Sequence, residues 1–231
     1  MGRLTQEEVN SLYKMLYILD QLFQKYDIKY VLMSGSLLGA MRNLVNSKGQ
    51  IPGSMIPGDD DIDTGIAESD EHKLQYVKQD LAKYDYVLKK TDPLGRVIYK
   101  VFETDGQKVC KDLKLFNYCM KFKFPFVDIF ILRNTNGRVT FRDPINKLMY
   151  GKEWFSIDEL LPIRRAKFGP LDVNVPNNPI PYLIRTYGPD CFVKKRSTFD
   201  HKNLKIQLSE SDATYEHELP SIDVREFYKQ I

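Results

Sequence analysis

No apolar run in this chain reaches the roughly 20 residues needed to cross a bilayer as a helix, so a transmembrane helix is excluded. The N-terminus is polar and lacks the apolar segment of a secretory signal. Cysteine is scarce: Cys110, Cys119 and Cys191 are odd in number and form no CxxC array, which argues against a disulfide framework and a structural zinc site. A reducing compartment follows, and the expectation is a soluble, cytoplasmic protein. Net charge is only +3, too small for a dedicated nucleic-acid binder. There is no low-complexity tract and no internal repeat beyond a doubled Ile-Pro-Gly at 51–53 and 56–58. What remains is 231 residues with 42% hydrophobic and 12% aromatic content, enough for one sizeable core.

The most informative stretch is Asp59-Asp60-Asp61-Ile62-Asp63-Thr64-Gly65-Ile66, where four carboxylates fall within five residues. On a strand, Asp59, Asp61 and Asp63 point one way, and Ile62 points the other way into a core. Carboxylates on one face lie about 6–7 Å apart, two strand rises, so their pKa values rise unless a cation sits between them. Hard oxygen ligands at that pitch suit Mg²⁺ or Mn²⁺. An EF-hand fits less well: Thr64 replaces the sharp-turn glycine, and Asp70 stands where a bidentate Glu belongs. The bland alternative is a solvated acidic turn, and the Ile-Asp alternation and the stretch upstream weigh against it.

The surrounding pattern is mixed α and β. Thr5-x-x-Glu8 reads as a capping box ahead of Val9, Leu12, Leu16, Leu19 and Phe23, a packing helix over the first 28 residues. Tyr30–Met33 reads as a buried strand, and the helix beginning near Leu37 follows Ser34-Gly35-Ser36. A strand–Gly-Ser–helix junction presents backbone N–H groups to a phosphate, with Arg42 one to two turns on. Residues 46–58 read as a Gly/Pro-rich flap. A helix is expected over 69–84, strands at 86–88 and 97–102, and a hairpin over 104–123. Phe124–Leu132 is the most apolar run, a central strand, and it carries one charge, Asp128. A lone buried carboxylate needs compensation, which a shared metal ion with Asp61 and Asp63 would supply. The tail from 134 onward is punctuated by proline, and its last twenty residues are charged. The resulting division is a packing helix (1–28), a catalytic core (29–133) and an extension packed on that core (134–231), all in one globular unit.

Ser34-Gly35-Ser36-Leu37-Leu38-Gly39-Ala40-x-Arg42, then Ile56-Pro57-x-Asp59-Asp60-Asp61-Ile62-Asp63, resembles the LicD family, which includes bacterial phosphorylcholine transferases and fukutin-related proteins. Val127-Asp128-Ile129-Phe130 is similar to the family's later Ile-Asp-Ile-Phe segment. Leu160–Arg165 with Phe168-Gly169, Val175-Pro176-Asn177 and Tyr187-Gly188 is similar to its C-terminal signature. The resemblance implies an α+β nucleotidyltransferase-like fold, with a mixed sheet flanked by helices. It also implies a Mg²⁺-dependent phosphotransferase that moves phosphocholine or a ribitol-phosphate-like group from a CDP-linked donor to a glycan hydroxyl. By that carry-over Asp61, Asp63 and Asp128 hold the metal, Gly35, Ser36 and Arg42 contact the donor phosphates, and Asp59 supports them. Two departures bear on the donor: Gly58 where the family has Trp, and a long connection from Arg42 to Ile56. Three other readings remain open: nucleotidyl transfer on the same fold, an inactive glycan-binding module, and a sugar-nucleotide glycosyltransferase using Asp-x-Asp.

Overall fold

The computed structural model describes residues 4–42, 44–46, 49–51, 53–56, 59–91, 96–113 and 116–212. Pro57, Gly58 and the charged tail from 213 lie outside the described residues.

The chain opens with α1 (Gln6–Lys25), started by the Thr5/Glu8 capping box in both directions. Its apolar face, from Leu12 through Leu16 and Leu19 to Phe23, is fully buried. Asp20 is buried on that face as well, and Tyr30, Gln24 and Arg165 satisfy its carboxylate. An unpaired charge there would cost several kcal/mol, about 3–5, so this cluster fixes how α1 seats on the sheet.

Next come β1 (Tyr30–Leu32) and α2 (Ser34–Met41). The helix starts three residues earlier than its apolar pattern predicts, because Met33 is its extended N-cap and Ser34 adopts a left-handed φ of 49°. Gly35 and Ser36 therefore form the first turn of α2 rather than a loop ahead of it. A short hairpin follows, β2 (Leu44–Asn46) and β3 (Gly49–Ile51). Residues 53–56 are not a free flap. Tyr13 Oη accepts from Met55 N–H at 3.0 Å, and Ser54 N–H reaches the Gly39 carbonyl at 3.1 Å. A Cβ on Gly53 would lie 1.9 Å from the Ala40 carbonyl oxygen, so only glycine permits this approach.

The sheet is completed by β4 (Ile62–Ala67), β5 (Tyr86–Thr91), β6 (Ile98–Leu113), β7 (Phe116–Thr135), β8 (Arg138–Phe141) and β9 (Phe155–Ser156). Its order is β1-β4-β7-β6-β5, with β8 joining the end of β7 and β9 joining β8. Only β4 and β7 run parallel; the other neighbours are antiparallel. The fold is thus α+β, a seven-stranded mixed sheet flanked by helices. The sheet continues beyond residue 133, since β8 and β9 belong to it. The helix expected over 69–84 is α3 (Leu74–Leu81) with a 3₁₀ turn at each end, and it packs against α1 and β5. Beyond the sheet come α4 (Pro144–Met149), α5 (Ile157–Leu160), the hairpin β10–β11 (Arg164–Phe168 and Leu171–Val175), α6 (Ile180–Tyr187) and the hairpin β12–β13 (Lys194–Asp200 and Lys205–Asp212).

The cysteine count misleads. Cys110 on β6 stands directly opposite Cys119 on β7, and the two form a disulfide; Cys191 is buried and lies outside it. Nine residues of sequence separation do not reveal that a hairpin register makes these two residues partners. The argument for a reducing compartment, which rested on unpaired cysteines, loses that support. Among the described residues, no helix is long and apolar enough to cross a membrane.

Candidate active site

Strand register builds the site. Asp63 on β4 is the direct partner of Asp128 on β7, and Asp128 is the direct partner of Lys100 on β6. Three adjacent strands thus present Asp63, Asp128 and Lys100 as one row on one face, at the usual spacing of about 4.8 Å. Asp61 lies just before β4 and joins the row from its end. Asp61, Asp63 and Asp128 each offer a carboxylate oxygen within 4.8 Å of the other two. Ile62, between Asp61 and Asp63, is fully buried and anchors the start of β4.

The first turn of α2 sits beside this cluster. Ser36 is buried, and its Oγ accepts from Asp63 N–H at 3.0 Å. Gly35 faces Asp59, whose Oδ2 would lie 2.7 Å from a Cβ at that position. Ser34 and Tyr182 hydroxyls both donate to buried Glu153, each at 2.6 Å. Tyr182 Oη also accepts from Ser34 N–H at 3.1 Å. Burial raises the Glu153 carboxyl pKa, and the two hydroxyl donors restrain that rise. This bridge explains how Ser34 is held in its left-handed conformation at the head of α2.

Crowded carboxylates out of water resist ionisation. Burial pushes Asp61 up to about 6, against the pull of His201 and, more weakly, Lys100, while Asp128 and Asp60 add to the rise. Asp63 is raised well above the ordinary value by burial and then by Asp61, Asp128 and Asp59. These are hard oxygen donors that converge, and they fit a small divalent cation.

Two positively charged groups approach the cluster, and neither is apparent from the sequence pattern. Lys100 Nζ donates to both Asp128 oxygens, at 2.6 and 2.8 Å, with the pair almost wholly buried. His201, in the turn between β12 and β13, donates its backbone N–H to Asp60 Oδ2 at 2.8 Å. Its Nδ1 lies 2.7 Å from Asp60 Oδ1 and its Nε2 3.6 Å from Asp61. Burial lowers the His201 pKa, but the Asp61 charge and the Asp60 contacts win and carry it to about 9. The C-terminal hairpin thereby closes one side of the acidic cluster.

Arg42 is placed differently from Gly35 and Ser36. At the C-cap of α2 it is buried, with Nε and Nη2 donating to the Cys191 carbonyl, the former at 3.0 Å, and Nη2 donating to the Lys194 carbonyl at 2.7 Å. Among the described residues it has no bond to Asp61, Asp63 or Asp128, and only Nη1 is without a hydrogen-bond partner. Its guanidinium anchors the segment that leads into the β12–β13 hairpin and so to His201. Arg42→Ala is expected to cost about 2–4 kcal/mol in urea unfolding, because buried carbonyls lose a charged donor. Arg42→Lys should recover only part of this, since one ammonium cannot fork to both carbonyls. A loss below about 0.5 kcal/mol would remove Arg42 from this anchoring role.

The mixed sheet sets Asp63 on β4 opposite Asp128 on its parallel neighbour β7, with Asp61 just ahead of β4 and the first turn of α2 beside them. The family described as LicD/FKTN/FKRP, nucleotidyltransferase domain, matches residues 27–178, and the chain belongs to this LicD family. The chain is 30% identical over 185 residues to the uncharacterized protein RP689 of Rickettsia prowazekii (strain Madrid E), covering 80% of this chain and 57% of that protein. It is 29% identical over 185 residues to the uncharacterized protein RT0683 of Rickettsia typhi (strain ATCC VR-144 / Wilmington), covering 80% of this chain and 48% of that one. The chain therefore spans about half the length of the curated relatives it matches.

Proposed function

We propose that the chain is a divalent-metal-dependent phosphotransferase. It would move a phospho-alcohol, phosphocholine or a ribitol-phosphate-like group, from a CDP-linked donor to a glycan hydroxyl. The observation that carries this reading is the convergence of Asp61, Asp63 and Asp128 beside the first turn of α2. Asp61, Asp63 and Asp128 would hold Mg²⁺ or Mn²⁺. Such an ion, when bound, neutralises phosphate charge and lowers the pKa of an incoming hydroxyl.

The chain's own residues supply position and charge. Gly35 and Ser36 lie in the first turn of α2, where backbone N–H groups and the helix dipole favour a phosphate. Ser36 also fixes the Asp63 backbone, so the phosphate cradle and the carboxylate row move as one body. Asp59 and Asp60 flank the row: Asp59 packs on Gly35, and Asp60 holds His201. Arg42 has only Nη1 left for an anion, so its contribution to the donor site is mainly to fix the segment behind it.

Product analysis tests the reaction. With a CDP-alcohol, Mg²⁺ and a glycan acceptor, attack on the phosphorus next to the alcohol releases CMP and leaves the phospho-alcohol on the sugar. Attack on the cytidine-side phosphorus instead leaves a cytidylylated acceptor and releases the phospho-alcohol. CMP release with a phospho-alcohol product is expected. A cytidylylated acceptor would make the enzyme a nucleotidyltransferase, and tight glycan binding with no turnover of any CDP-alcohol would make it a binding module.

A further inference from the structure

Lys100 is buried among groups that leave it little room to withdraw. Its ammonium spans both Asp128 oxygens, and it lies 3.5 Å from the centre of the Phe126 ring and 4.7 Å from that of Phe122. Both rings present a negative face to the cation. The lysine thus already occupies Asp128, the carboxylate that a metal would share with Asp61 and Asp63. An ion that takes an Asp128 oxygen must take it from Lys100. The displaced ammonium then stays buried on the same face and needs a new anionic partner, because a desolvated cation without one costs several kcal/mol.

We propose that Lys100 is a placeholder for the positive charge of the site. It holds Asp128 in place until a divalent cation arrives, and then passes its ammonium to a phosphate oxygen of the bound nucleotide diphosphate. The inference rests on the metal and donor reading above and adds one residue to it. Charge arithmetic keeps the ammonium at the site. Asp61, Asp63 and Asp128 carry three negative charges when ionised, which one divalent ion and the Lys100 ammonium together match before any phosphate enters. A diphosphate brought into the same space requires further positive charge, and Lys100 is already seated in the row beside it.

The test uses Mn²⁺ alone and then CDP. Mn²⁺ binding to the metal-free protein, followed by the EPR signal of free Mn²⁺, is compared for wild type, Lys100→Met, Lys100→Gln and Lys100→Arg. Each variant is first checked for wild-type near-UV circular dichroism. Removal of the competing cation in Lys100→Met or Lys100→Gln should tighten Mn²⁺ about tenfold, the equivalent of about 1.4 kcal/mol. Lys100→Arg should stay within about threefold of wild type. At saturating Mn²⁺, the same neutral variants should bind CDP at least about tenfold more weakly. Equal or weaker Mn²⁺ binding in both neutral variants would show that Lys100 merely supports Asp128, and would overturn the placeholder. Unchanged CDP binding would overturn its second half. Failure of every protein, wild type included, to bind Mn²⁺ would instead overturn the metal site on which the inference rests.

Discussion

Asp63→Asn should abolish transfer and at the same time raise the melting temperature of the metal-free protein. Loss of a ligand to the ion removes a contribution of several kcal/mol to the transition state, so activity is expected to fall by more than about tenfold. The stability gain has a separate cause. The charged neighbours that act most strongly on Asp63, namely Asp61, Asp128, Asp59 and Glu153, all disfavour its ionised form. A neutral amide relieves that repulsion, and about 1 kcal/mol corresponds to roughly 2–4 °C for a chain of this size. Asp61→Asn should inactivate equally but gain less stability, because it also gives up the His201 imidazole 3.6 Å away. Retention of more than about a tenth of the activity by either variant, well short of a lost metal ligand, would contradict the assignment.

The second large effect is on pH dependence. Asp61 is raised from its ordinary 3.8 to about 6, and His201 from 6.5 to about 9. Asp63 and Glu153 are also raised. A group whose folded-state pKa lies above its unfolded value stabilises fully below the unfolded pKa, and that stabilisation is lost as pH rises through the folded one. Metal-free protein should therefore lose stability in two steps: through about pH 6 as the carboxylates ionise against one another, and through about pH 9 as His201 loses its proton. The His201 step should amount to about 2 kcal/mol, less than its full shift because the side chain is 31% exposed. Below about pH 4 the opposite holds, since Glu71 and Asp80 are held below their ordinary values, first by their Arg142 and Lys25 hydrogen bonds, and lose that stabilisation on protonation. Saturating Mg²⁺ should flatten the step near pH 6 and release about one proton or more per ion bound there. Calorimetry in two buffers of different ionisation enthalpy reads that release directly. Heats that do not depend on the buffer at pH 6 would contradict the crowded-carboxylate picture.

The parts of this site that can be read in the sequence are those where a local pattern is physically costly. Asp61 and Asp63 stand out because like charges alternate with a core residue. Asp128 stands out because one carboxylate interrupts a run of apolar residues. Lys100 carries the same signature, a lone charge in the apolar stretch 97–102, yet its significance depends on pairing with Asp128, and register between β6 and β7 is not a local property. His201 lies 140 residues from Asp61 and is delivered by a hairpin of ordinary composition. The cysteine pair was hidden by the same cause as Lys100, since both depend on which residues a long hairpin sets opposite each other. The α2 start was displaced because Ser34 is held by Glu153 and Tyr182, two residues far downstream. Residues 53–56 have the composition of a mobile loop, but Tyr13 and Gly39 supply hydrogen bonds that no local rule predicts.

The central claim is that Asp61, Asp63 and Asp128 share one divalent ion beside the α2 start. Anomalous diffraction from crystals soaked in Mn²⁺ and a cytidine nucleotide tests it most directly. The predicted result is a single strong peak with an oxygen of each of the three carboxylates within about 2.2 Å, and with nucleotide phosphates against Gly35 and Ser36. A peak ligated elsewhere, or one that leaves Asp128 bound by Lys100 with both of its oxygens, would contradict the three-carboxylate site and the mechanism built on it.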